Sequence, residues 1–127
     1  MDERHLSSLD PARFMKASGW NFNKSWTGRV DISAWLHASM AANSSLYLFL
    51  VYQDQENTHS VPVDQCLIPT SESILLNARI KLSGRGNLQS LQLKIKCAGC
   101  NTSAILLEDL SVKALKPASA RRVSEVV

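Results

Sequence analysis

The chain has 127 residues, of which 45% are hydrophobic and 20% charged, with a formal net charge of +3. That is enough for one domain with a real core and too little for two, and the composition excludes bulk disorder. The cations are dispersed, with Arg121-Arg122 as the only adjacent pair, so no basic stripe suggests a nucleic-acid partner; the most apolar run, Leu46 to Tyr52, is strand-sized and spans no bilayer.

Met1 to Pro11 is polar and without period, which predicts a flexible arm over residues 1–12, or a single helical turn begun at Asp10-Pro11. It holds no apolar segment of a secretory signal, so a native full-length chain is expected in the cytoplasm and an excised domain outside it. The folded domain is expected over residues 13–115. From Arg13 to Trp20 the apolar residues Phe14, Met15, Ala17 and Trp20 predict a first strand, bent near Gly19. In the next strand, Thr27 to Ala38, the residues Val30, Ile32, Ala34 and Leu36 take one face. Asp31, Ser33, Trp35 and His37 take the other, which puts an indole on a polar face.

Leu46 to Tyr52 is apolar on both faces, with Leu46, Leu48, Leu50 and Tyr52 on one side and Tyr47, Phe49 and Val51 on the other; such a strand belongs in mid-sheet or has its second face covered. A polar loop follows, and Val61-Pro62-Val63 returns to extended structure where an edge tolerates the proline. Ile74 to Ser83 alternates (Ile74, Leu76, Ala78, Ile80, Leu82). So does Leu88 to Cys97 (Leu91, Leu93, Ile95, Cys97), and the Gly84-Arg85-Gly86-Asn87 turn between them suggests a hairpin. Ile105 to Leu115 is the last strand, its phase interrupted at Glu108-Asp109 as a bulge would interrupt it. Residues 116–127 lose all period and read as a flexible tail or linker. With about seven or eight strands and little helix, the expected fold class is all-β, a two-layer antiparallel β-sandwich.

The order of these features resembles the jelly-roll carbohydrate-binding and galactose-binding-like domains. The likeness rests on Ser18-Gly19-Trp20, on Val30-Asp31-Ile32-Ser33-Ala34-Trp35-Leu36, on the apolar strand Ser45 to Tyr52, and on the closing strand Ile105 to Val112 with its acidic pair. The middle-strand tryptophan of those domains is absent from Glu72 to Leu76, and their acidic calcium loop near the N-terminus is not evident. The resemblance implies a soluble, non-catalytic binding module that holds a glycan or polysaccharide on a sheet face or loop rim. Trp35, Asp31, His37, Trp20 and Tyr52 are the expected ligand contacts.

Catalysis is not expected. Glu108 and Asp109 are adjacent and would point to opposite faces of a regular strand, whereas a glycosidase pair flanks one bond; no nucleophile or metalloprotease motif occurs. No cofactor or metal is expected either. Cys97-Ala98-Gly99-Cys100 lies between strands without the helix that activates a redox pair, so Cys97 reads as a core thiol and Cys100 as a turn residue. The alternative function is a structural or assembly domain in a larger complex, with a protein partner or a second copy docking through Tyr47 and Phe49.

Overall fold

The computed structural model describes residues 2–38, 44–68, 72–98 and 105–116. Their elements are β1 (Asp2–Ser8), α1 (Pro11–Ser18), β2 (Ser25–Ala38), β3 (Ser44–Gln53), β4 (Thr58–Ile68), β5 (Glu72–Arg85), β6 (Ser90–Ala98) and β7 (Ile105–Ala114). A four-stranded sheet in the order β1-β6-β3-β4 faces a three-stranded sheet in the order β5-β2-β7, all pairings antiparallel. This is the expected β-sandwich. No helix is long and apolar enough to cross a membrane among the described residues.

The period of two decides what is inside. Val30, Ile32, Ala34 and Leu36 of β2, Leu46, Leu48 and Leu50 of β3, and Leu91, Leu93 and Ile95 of β6 are essentially inaccessible to solvent. β3 lies between β6 and β4, in the mid-sheet place expected of it, with its outward face only partly covered. Val112 on β7, by contrast, is only partly buried against the core.

Several expectations are corrected. Asp2–Ser8 is not an arm but a strand that pairs with β6, and Arg4 reaches across the sandwich to donate to the carbonyl of Ile105 on β7. Alternation along so short a polar strand is invisible in sequence, since the neighbouring strand supplies its hydrogen bonds. The strand expected over Arg13 to Trp20 is helix α1. Asp10 caps it by accepting from the amides of Ala12 and Arg13 at 3.0 and 3.4 Å, Pro11 starts it, and Gly19 ends it at φ 73°. Capping outweighed the apolar run. β5 and β6 form no hairpin either: β5 pairs with β2 and β6 with β1 and β3, so the turn at residues 84–89 carries the chain from one sheet to the other. Cys97 is disulfide-bonded and not a plain core thiol, whereas Cys66 is a free cysteine. Cys100 and residues 117–127 lie outside the described residues.

One end of the sandwich is filled by rings. Phe14 meets Trp20 edge-on at 5.6 Å, Trp20 lies 5.8 Å from Trp26, Trp26 6.2 Å from Tyr52, and Tyr52 stacks on His59 at 4.6 Å. The indole and phenol tips donate to backbone carbonyls: Trp20 Nε1 to Leu115 at 2.8 Å, Trp26 Nε1 to Gly86 at 2.8 Å, and the Tyr52 hydroxyl to Ser83 at 2.7 Å. Gly28 is obligatory beneath this column, because a Cβ there would enter the Trp20 ring.

Replacing the fully buried Ile95 by Ala removes packed methylenes from the middle of β6 and leaves a cavity. The expected loss is about 2–5 kcal/mol in a denaturant melt. A loss below about 1 kcal/mol would place Ile95 outside the core.

Candidate functional site

The two inner faces are consumed by the core, so the outer faces are left for binding. On the four-stranded sheet, Tyr47 and Phe49 of β3 point outward and stand half-exposed. Across the ladder, Tyr47 is paired with Gln65 and Lys96, and Phe49 with Pro62 and Lys94. The β3–β4 register shifts between Leu48 and Phe49, so β4 carries an extra residue there and curls. The result is an open groove of about 630 Å³ whose lining includes Tyr47, Phe49, Ser60, Pro62, Gln65 and Lys96. Lys96 Nζ sits 4.9 Å from the centre of the Phe49 ring. Glu3 of β1 lies 3.7 Å from the ammonium groups of both Lys94 and Lys96. Two ring faces bordered by amide, hydroxyl and ammonium groups suit a ligand with an apolar face and a polar rim.

The other outer face carries the expected indole. Trp35 is 43% exposed, beside Leu75 at 40% on β5. The bulge expected at Glu108-Asp109 is present: Leu36 pairs with Leu107 and Trp35 with Asp109, leaving Glu108 as the extra residue. Asp109 accepts from the amide of Leu110 at 2.9 Å, and Glu108 accepts from the Ser73 hydroxyl on β5 at 2.8 Å. His37, half-buried, lies on the same face between Ser73 and Leu106. Asp31 accepts two hydrogen bonds from the Arg79 guanidinium, at 2.7 and 3.1 Å. Those bonds, helped by the nearby charges of Arg79 and Lys113, hold its carboxyl below its ordinary value against a smaller cost of burial.

Of the five residues expected to contact ligand, the structure brings Trp35, Asp31 and His37 together on one face and removes the other two. Trp20 is 8% exposed and Tyr52 2%, both in the ring column inside the sandwich. For Tyr52 the signal was present, since it shares the inward phase of Leu46, Leu48 and Leu50. For Trp20 the signal was the helical stop at Gly19, which turns the next residue back over α1.

A third polar site sits at the end of the sandwich, and its work is structural. Asp54, 2% exposed, accepts from the amides of Glu56 and Asn57 at 2.7 Å each and of Arg85 at 3.1 Å, and its carboxylate lies 2.9 Å from His59 Nε2. Burial alone would favour the neutral acid. The amide of Asn57, the His59 ring and the amides of Glu56 and Arg85 together outweigh it and hold the carboxyl far below the usual carboxylate range. Among the described residues no three His, Cys, Asp or Glu side chains are grouped to hold a metal ion.

Comparison with solved structures finds a similar fold in the CBM22-2 xylan-binding domain of Xyn10C from Paenibacillus barcinonensis, with a TM-score of 0.52 and 13% identity. The match covers 68% of this chain and 62% of that one, so this chain spans less than two thirds of the domain it resembles. The likeness is one of fold: a two-sheet antiparallel β-sandwich of the kind that domain adopts. No protein-family model and no curated protein matches the sequence.

The Asp54 site makes stability depend on acid. A carboxyl whose folded pKa is depressed contributes stability that is complete above its unfolded value, about 3.9, and is lost as the pH falls through the folded one. Thermal melts should show a falling Tm below about pH 4 to 5. Asp54→Asn should lower the Tm at pH 7 and flatten that acid limb. An unchanged limb would mean that another group carries it.

Proposed function

We propose that the chain is a non-catalytic carbohydrate-binding module of jelly-roll type that holds a glycan in the groove over β3 and β4. The observation that carries this reading is the pair of half-exposed rings, Tyr47 and Phe49, in a concave lining rimmed by Ser60, Gln65 and Lys96. The axial C–H face of a pyranose is apolar and its equatorial hydroxyls need hydrogen-bonding partners, so rings supply contact area and the rim supplies orientation. The fold shared with a xylan-binding domain supports the same class of ligand. A groove curled by a bulge also fits a narrow chain better than the flat partner surface that assembly through Tyr47 and Phe49 would need.

A shallow groove with two rings binds weakly, and dissociation constants in the micromolar to millimolar range are expected, about −4 to −8 kcal/mol. In calorimetric titration with xylohexaose, with other neutral oligosaccharides as a panel, Phe49→Ala should weaken binding by roughly tenfold, the value of about 1.4 kcal/mol of lost stacking. Its Tm should move little because the ring is already half in solvent. Unaltered binding in both Tyr47→Ala and Phe49→Ala would remove the groove from the reading. No binding across the panel, joined to a concentration-dependent dimer that Phe49→Ala dissolves, would favour the assembly domain.

A further inference from the structure

We propose that the outer face of the three-stranded sheet is a second ligand site, one that takes a mainly neutral glycan chain bearing a sparse uronate carboxylate. This rests on the glycan-binding reading above but on different residues. Along β2 the outward positions run from Trp35 through Ser33 and Asp31 to Arg29, a span of about 20 Å at the rise of an extended strand, long enough for several sugar rings. The chemistry changes along that line. At one end the exposed Trp35, with Leu75 beside it, offers a stacking surface. In the middle, Ser33 is paired with Asn77 on β5 and Ser111 on β7, a row of hydroxyl and amide groups.

At the far end the charges are unbalanced. Arg29 stands directly opposite Lys81, and Asp31 directly opposite both Arg79 and Lys113. Asp31 is engaged in its paired hydrogen bonds with Arg79, and among the described residues neither Arg29 nor Lys81 has a carboxylate within ion-pair distance. Like charges paired across two strands destabilise a sheet, so this arrangement is relieved when an anion lies over it. The groove on the other sheet lacks this excess, because Lys94 and Lys96 both lie 3.7 Å from Glu3 and Asp64 lines the groove as a second carboxylate.

Charge also sets what the anion can be. Glu108 and Asp109 flank the Trp35 end, and they would repel a polymer charged on every ring. A chain that stacks neutral sugars near Trp35 and presents a carboxylate to Arg29 and Lys81 satisfies both ends. The planar fork of an arginine suits a carboxylate, with two parallel hydrogen bonds.

The test compares two probes by calorimetric titration at low salt: a neutral xylo-oligosaccharide, and one of equal length carrying a single glucuronate side group. The acidic probe should bind the unaltered protein roughly threefold to tenfold more tightly, and the advantage should vanish near 0.5 M salt, as exposed pairings do. The double variant Arg29→Gln, Lys81→Gln should bind both probes alike, with neutral-probe affinity kept. Trp35→Ala should likewise weaken the acidic probe selectively. Far-UV circular dichroism checks that each variant is folded. Equal affinity for the two probes in the unaltered protein, or an advantage that survives in the double variant, overturns the second site while leaving the groove intact. A chain that binds neither probe overturns both proposals. Binding of the neutral probe that is lost only in Phe49→Ala, with no acidic advantage, retains the groove alone.

Discussion

Much of the structure depends on the column of rings at one end of the sandwich. Trp20, Trp26 and Tyr52 come from three separate segments, and each spends its one polar tip on a backbone carbonyl of a different element: the residue after β7, the turn after β5, and β5 itself. A buried indole or phenol must find an acceptor, and the carbonyls at strand ends are those the ladders leave over. The column therefore does two jobs. It fills the space between the sheets, and it ties the chain ends and crossings to one another. Asp54 extends the same device into the loop after β3, binding the amides of its own turn and of Arg85.

Because the inner faces are filled this way, the outer faces are free to differ, and two irregularities make them differ. A register shift opposite Leu48 and Phe49 curls the β3–β4 pair, and a concave surface forms where two aromatic side chains already point outward. The other shift, at Glu108, adds one residue to β7 and lets a carboxylate reach over β2 to Ser73. In a ladder without bulges, residues 108 and 109 would alternate between core and solvent, and one acidic side chain would have to enter the core. The extra residue leaves both exposed.

The two outer faces consequently read as different instruments. One is an open groove whose two lysines are matched by Glu3 and Asp64, and suits a neutral chain held by ring contacts. The opposite one is an open sheet surface with an indole at one end and unmatched cations at the other, and suits a ligand with separated apolar and anionic parts. Neither requires a reacting group. The most strongly perturbed carboxylate, Asp54, is saturated with donors and held as an anion, which is the state of a structural turn and a poor one for a general acid.

Sequence alone determined whatever depends on the period of two. The strands β2, β3, β5, β6 and β7, the all-β class, the inward residues of β6, the central place of β3, the outward direction of Trp35 and the bulge at Glu108 all follow from which side of a pleat a residue occupies, and that is a local property. Tertiary structure decided the pairings. β1 exists because β6 offers it an edge, since six or seven polar residues hold no strand by themselves. The turn after β5 crosses between sheets, though a glycine turn between two alternating strands equally describes a hairpin. Trp20 went inward because a cap at Asp10 and a stop at Gly19 made a helix of a segment whose apolar residues fit a strand as well. The groove around Tyr47 and Phe49 needed β4 as its far wall, so its residues were legible as outward aromatics while their concave setting was not. Alternation specifies a face, but only the neighbour across the ladder specifies what that face is next to.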